Sequence, residues 1–131
     1  MNLPSIGVIG HGFVGKAISD GFKHYTSVKV YDINPLASVD NYFDVVGQDI
    51  LFMCLPTPML PDGHVDLRIV RSALSTLDSA LQTQHKPVIL KSTIPPLDLE
   101  ALAKDFRPNI HLIYSPEFLT ERTAMLDFQQ Q

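Results

Sequence analysis

The chain has 131 residues, 45% of them apolar and 18% charged, with a mean hydropathy of +0.10. That is the size of one globular domain, residues 1–131, able to bury roughly two-thirds of its unfolded surface, and the composition excludes a disordered chain. A net charge of −4 excludes an electrostatic nucleic-acid binder, and a single cysteine, Cys54, excludes an internal disulfide or a cysteine-cluster metal centre.

The first apolar run, Ile6–Ile9, predicts a strand, and Val14, Ile18 and Phe22 at i, i+4, i+8 predict the helix that follows it. Val28–Tyr31 reads as a second strand, and Asn41–Val46 as one helical turn. Ile50–Leu55 reads as a third strand. Val70, Ala73, Leu74, Leu77 and Leu81 then mark a helix, with Asp66 placed to cap it. Val88–Leu90 is a fourth strand. Leu99, Leu102, Ala103 and Phe106 form another helical stripe, with Pro95 and Pro96 suited to its first turn. His111–Tyr114 is the fifth strand. Most of these strands show no polar alternation, which is how strands buried on both faces read. Alternating strands and helices predict parallel pairing through right-handed crossovers. The expected fold is therefore α/β, a Rossmann-type doubly wound sheet of about five strands in the usual order 3-2-1-4-5. The five histidines show no ligand spacing on a shared face, so no metal is expected. No apolar run approaches the length of a membrane span and no basic-then-apolar leader opens the chain. The expectation is a cytoplasmic protein with neither a membrane nor a nucleic acid as partner.

Five signals carry chemistry. Gly10-His11-Gly12-Phe13-Val14-Gly15 follows the first strand and opens an amphipathic helix. In that context Gly10 allows the tight turn, Gly12 lets backbone approach a pyrophosphate, and Gly15 lets helix and strand pack closely. The helix N-terminus adds free N–H groups and the positive end of its dipole. Asp32 ends the second strand, 22 residues after Gly10, where a carboxylate accepts bonds from an adenosine ribose and repels a 2′-phosphate. The expected cofactor is thus NAD. Leu55-Pro56-Thr57-Pro58 must leave the sheet, because proline cannot continue a central strand. Lys91-Ser92-Thr93-Ile94-Pro95-Pro96 puts two hydroxyls at a strand-to-helix junction, where capping alone would account for one of them. Ser115-Pro116-Glu117-Phe118-Leu119-Thr120-Glu121 places two carboxylates four apart in an apolar stretch, and burial there would raise a carboxyl pKa. All five fall at the carboxyl ends of predicted strands, the edge where open α/β sheets bind ligands.

With these motifs the chain resembles the UDP-glucose/GDP-mannose dehydrogenase family, in its N-terminal NAD-binding domain, from Ile6 to about Phe128. The resemblance implies oxidation of the sugar 6-hydroxyl of a nucleotide sugar to a carboxylate, with two NAD and a cysteine-bound thiohemiacetal. It implies that Gly10, Gly12, Phe13, Val14 and Gly15 hold the pyrophosphate and Asp32 the ribose. Leu55, Pro56, Thr57, Ser92 and Thr93 would line the cofactor, and Thr93 would help place a catalytic water. Glu117 corresponds to the family's acid/base glutamate and Glu121 to its cofactor-contacting one. The run Glu117, Phe118, Leu119, Thr120 and Glu121 would lie against the sugar.

Several positions depart from the family pattern. The segment between the second and third strands is cut to 16 residues, Leu97 and Arg122 stand where glycines are usual, and Ser115 replaces an asparagine. The family's sixth strand, long connecting helix and nucleophilic cysteine have no counterpart in the sequence. Cys54, inside an apolar run, is expected to be buried and inert. The chain is therefore expected to be the cofactor half of a longer enzyme, inactive alone, and to self-associate through its fifth strand or C-terminal segment. A 6-phosphogluconate or hydroxyacid-type dehydrogenase domain shares the glycine loop and aspartate, and a non-catalytic NAD-binding module would need nothing more.

Overall fold

A computed structural model describes residues 3–116. Five strands form one parallel sheet: β1 (Ile6–Ile9), β2 (Val28–Tyr31), β3 (Ile50–Met53), β4 (Lys86–Leu90) and β5 (Ile110–Tyr114). Between them lie α1 (Phe13–Phe22), α2 (Tyr42–Val46), α3 (Arg68–Leu81) and α4 (Pro96–Phe106). The sheet is a doubly wound α/β sheet as expected, with each element close to where the apolar pattern put it, although β3 ends at Met53, short of Leu55, and β4 begins at Lys86, ahead of Val88.

The strand order is corrected. It is β2-β1-β3-β4-β5, not 3-2-1-4-5, so β3 lies beside β1 rather than beyond β2. The reason lies in burial and in crossover geometry. Ile-Leu-Phe-Met of β3 is apolar throughout, and its last three residues are buried, which demands an interior place in the sheet. Val-Lys-Val-Tyr of β2 buries only Val30, as an edge strand does. The connection between them carries α2, whose Val45 and Val46 are buried in the cluster of Leu51, Met53 and Leu74. Ile18 of α1 is buried in a second cluster with Val8, Val30 and Phe52. Because Leu51 and Phe52 are adjacent in one strand, the two clusters occupy opposite faces of the sheet. A right-handed crossover on the α2 face, opposite α1, must step the other way, past β1.

A five-residue helix is not stable alone. At its start, the Asn41 side chain accepts from the Asp44 N–H. At its end, the Lys86 ammonium donates to the Val46 and Gln48 carbonyls at 2.8 and 2.5 Å. Burial pushes the Lys86 pKa down, against the opposing pull of Asp49. In α3, Leu67 rather than Asp66 is the capping residue, and no side chain caps it. Asp66 instead accepts from the Arg68 N–H and grips its guanidinium, 2.7 Å at the closest, which holds the Asp66 carboxyl down at about 2. In α4 the expected proline start is observed, with Pro95 as the cap and Pro96 in the first turn.

Among the described residues no helix is long and apolar enough to cross a membrane.

Candidate functional site

The chain reverses its direction of travel across the sheet between β1 and β3. The β1–α1–β2 crossover runs one way and all later ones run the other. At such a switch point the loops at the carboxyl ends diverge and leave a crevice. A cleft of about 1020 Å³ opens there.

Its floor begins at the glycine loop, where three glycines do three different things. Gly10 has φ +99°, a conformation that side chains rarely adopt, and a Cβ on it would collide with the Cys54 carbonyl. A Cβ on Gly15 would collide with the Gly10 carbonyl, so α1 can pack on β1 only without one. Gly12 is different. A Cβ there would meet nothing within 4 Å, so no contact within the described fold requires glycine at that position. Gly12 is the N-cap of α1, and no side chain caps the helix. The first-turn amides, which lack intrahelical partners by geometry, therefore stand open at the cleft. Phe13, 43% exposed, and Val14 line it beside Gly12.

Asp32 lies where expected, at the end of β2 on the cleft wall. One carboxylate oxygen accepts the His11 N–H at 2.7 Å and the other the Asn34 N–H at 2.8 Å. A carboxylate has about four lone-pair sites, so two remain for a ligand.

The loops after β3 and β4 are laced together. The Ser92 hydroxyl donates to the Leu55 carbonyl at 2.5 Å, and the Thr57 hydroxyl to the Thr93 carbonyl at 3.0 Å. The Tyr114 hydroxyl accepts from the Ile94 N–H at 2.8 Å and donates to the Ile94 carbonyl at 3.1 Å. Lys91, 7% exposed, donates from its ammonium to the Ser115 hydroxyl at 3.2 Å. Leu55, Pro56 and Ser92 line the cleft. Thr57 and Thr93 stand next to them, with Thr93 exposed. Cys54 corrects an expectation: it lies just past β3, half-buried, and lines the cleft. Glu117, Phe118, Leu119, Thr120 and Glu121 lie outside the described residues.

Sequence reasoning missed the far wall. Ile69, Ser72, Ala73 and Thr76 of α3 face the cleft, with Tyr31 and Tyr42 below them. The signal was present: these positions recur at helical spacing beside the apolar stripe of Val70, Leu74 and Leu77. Tyr31 and Tyr42 pack edge to face, ring centres 5.1 Å apart. The Tyr42 hydroxyl is buried and has no hydrogen-bond partner among the described residues. Burial, and then the neighbouring Tyr31, push its pKa up to about 12.

Comparison with known proteins agrees with this geometry. Residues 36–131 match the UDP-glucose/GDP-mannose dehydrogenase family, NAD binding domain. The UDP-glucose 6-dehydrogenase AglM of Haloferax volcanii is 31% identical over an alignment of 112 residues that covers 77% of this chain and 26% of that protein. A UDP-glucose dehydrogenase structure from Pyrobaculum islandicum superposes with a TM-score of 0.80 at 26% identity, over 97% of this chain and 39% of that one. The GDP-mannose dehydrogenase of Pseudomonas aeruginosa, 17% identical over 94% of this chain and 38% of its own, shares the fold with a TM-score of 0.78. The chain thus spans well under half the length of each of these relatives. With the glycine loop, the switch-point cleft and the family match in agreement, this chain belongs to the UDP-glucose/GDP-mannose dehydrogenase family, as its NAD-binding domain.

Proposed function

We infer that this chain binds NAD(H) and forms the cofactor-holding part of a nucleotide-sugar 6-dehydrogenase. The observation that carries the reading is Gly12, a glycine that the described fold does not need, at the N-terminus of α1 and facing a cleft. Such a position gives a pyrophosphate room to approach the helix amides. Asp32 then takes the adenosine ribose with its two remaining lone-pair sites, and Ile33 and Ile69 offer apolar surface to the adenine. When bound, NAD supplies the hydride acceptor. The chain's own part is to bind it, orient it through the 91–95 loop, and keep a 2′-phosphate away from Asp32.

In this reading Thr93 helps position water and Glu117 is the acid/base group, both by correspondence with the family's motifs. Glu117 to Glu121 would lie along a nucleotide sugar. Oxidation of that sugar also needs a reactive thiolate, and Cys54 follows a β-strand in largely apolar surroundings, which do not activate a thiol. The 131-residue chain alone is therefore expected to bind NADH and to leave UDP-glucose and GDP-mannose unoxidised. Self-association is part of the same reading. β5 is an edge strand of the described sheet and Ile113 on it is 39% exposed, a surface that invites pairing. Light scattering reads this, and a monomer at high concentration contradicts it.

The experiment for the reading as a whole is a fluorescence titration with NADH and NADPH. NADH should bind more tightly, because a phosphate beside the Asp32 carboxylate adds repulsion. Equal or tighter NADPH binding would contradict it.

A further inference from the structure

We propose that His11 is the positioning residue for the adenosine end of the cleft, latching the loop after β2 onto the glycine loop; this rests on the NAD reading above. The loop, residues 32–40, gains little from apolar packing: Ile33, Leu36 and Val39 are 87%, 96% and 70% exposed. Hydrogen bonds shape it instead. The Asp40 side chain and N–H both bond the Val30 backbone, at 2.8 and 2.7 Å. The Ser38 hydroxyl accepts from the Asp32 N–H and donates to the Asp40 carbonyl, each at 3.1 Å. The Ala37 and Ser38 N–H groups both donate to the Asn34 carbonyl.

These bonds shape the loop and tie its far end to Val30 of β2; the position of its middle over the cleft is left to other contacts. Among the described residues, its hydrogen bonds to the glycine loop both come from residue 11. The His11 N–H donates to Asp32 at 2.7 Å, and the imidazole Nδ1 bonds the Ala37 carbonyl at 2.7 Å. A carbonyl only accepts, so Nδ1 carries the hydrogen. The first bond is backbone and survives almost any substitution at position 11. The second belongs to the side chain, and it holds the loop five residues beyond Asp32. With both made, the carboxylate is fixed at one oxygen and its loop at a second point. The remaining lone pairs then keep one direction, toward the cleft. Without the latch the loop can swing, and both ribose binding and rejection of a 2′-phosphate suffer.

The test uses the full chain, with His11→Ala and His11→Asn, titrated calorimetrically with NADH, NADPH and ADP-ribose. Losing one such hydrogen bond should weaken NADH and ADP-ribose about 5- to 10-fold in His11→Ala and narrow the NADH-to-NADPH preference. The asparagine side-chain N–H can reach the same carbonyl, so His11→Asn should recover most of both. Thermal midpoints should agree within about 2 °C, since the cores do not involve residue 11. If the wild-type chain binds neither NADH nor ADP-ribose, the NAD reading falls and the latch with it. If it binds both and His11→Ala binds them equally well, or His11→Asn recovers nothing, the latch alone is overturned.

Discussion

The loop after β1 and the loop after β4 lie at the same sheet edge, with β3 between them, and both carry family motifs, yet their polar groups are used in opposite ways. At the glycine loop the α1 amides have no side-chain cap and Gly12 faces open space. At the 91–95 loop the groups are engaged within the protein: Ser92 with Leu55, Thr93 with Thr57, Ile94 with Tyr114, and Lys91 with Ser115. A motif at a ligand-binding edge can therefore mean two things. One kind leaves donors for a ligand, and the other builds the wall against which the ligand lies.

The sharpest way to break this contrast is through the glycines that the fold itself uses. Gly15→Ala drives a Cβ into the Gly10 carbonyl, and Gly10→Ala adds a disfavoured φ to a clash with Cys54. Each should cost about 3 kcal/mol or more in a denaturant melt. Stability close to wild type in either would show that the loop is not tightly packed. On the opposite loop, Tyr114→Phe leaves the Ile94 N–H and carbonyl without their partner. A loss of about 1–3 kcal/mol is expected by the same melt. No loss would mean that the lacing does not hold the wall.

Asp32→Ala tests the ligand side. It should weaken NADH by about tenfold, or 1.4 kcal/mol, and NADPH by less. Equal losses for the two would count against a ribose role.

The smallest effect is expected at Tyr42, whose buried hydroxyl has no partner among the described residues. Tyr42→Phe removes an unsatisfied group and should change stability by no more than about 0.5 kcal/mol near neutral pH. At high pH the two should differ. In the unfolded chain the phenol ionises near pH 10, but in the folded one it keeps its proton until about 12. The unfolded state releases its proton first, so stability is intact below pH 10 and falls as pH rises through about 12. Tyr42→Phe should lack that part of the alkaline loss, read from melts at pH 9 and 11.

Much of this was legible in the sequence because parallel strands buried on both faces must be apolar throughout. That located β1 and β3, the shorter apolar runs of β2, β4 and β5 placed the rest, and the 3.6-residue stripes of α1, α3 and α4 were equally plain. The strand order was not legible. A link of 16 residues suffices for a crossover in either direction, and the direction is set by which face takes Val45 and Val46, a tertiary fact. Asp66 looked like a cap because carboxylates favour helix starts, but Arg68 is close enough to draw it one position early. The far wall on α3 was overlooked because Ser72 and Thr76 read as an ordinary solvent face. In the glycine loop the positions were legible, and so was the use of Gly10 for the turn and of Gly15 for close packing of helix on strand. The surroundings of each Cβ add the separation of these two, which serve the fold, from Gly12, which the described fold leaves open.

Gly12→Val measures that separation directly. The backbone at Gly12 has φ −79° and ψ −163°, which valine adopts readily, and its Cβ meets nothing within 4 Å. The variant should fold with a stability loss of about 1 kcal/mol or less, as expected for exchanging a glycine at an N-cap. Its isopropyl group should nonetheless fill the space needed by the pyrophosphate and weaken NADH binding at least tenfold in a calorimetric titration. A folded Gly12→Val chain that binds NADH as the wild type does would contradict the account.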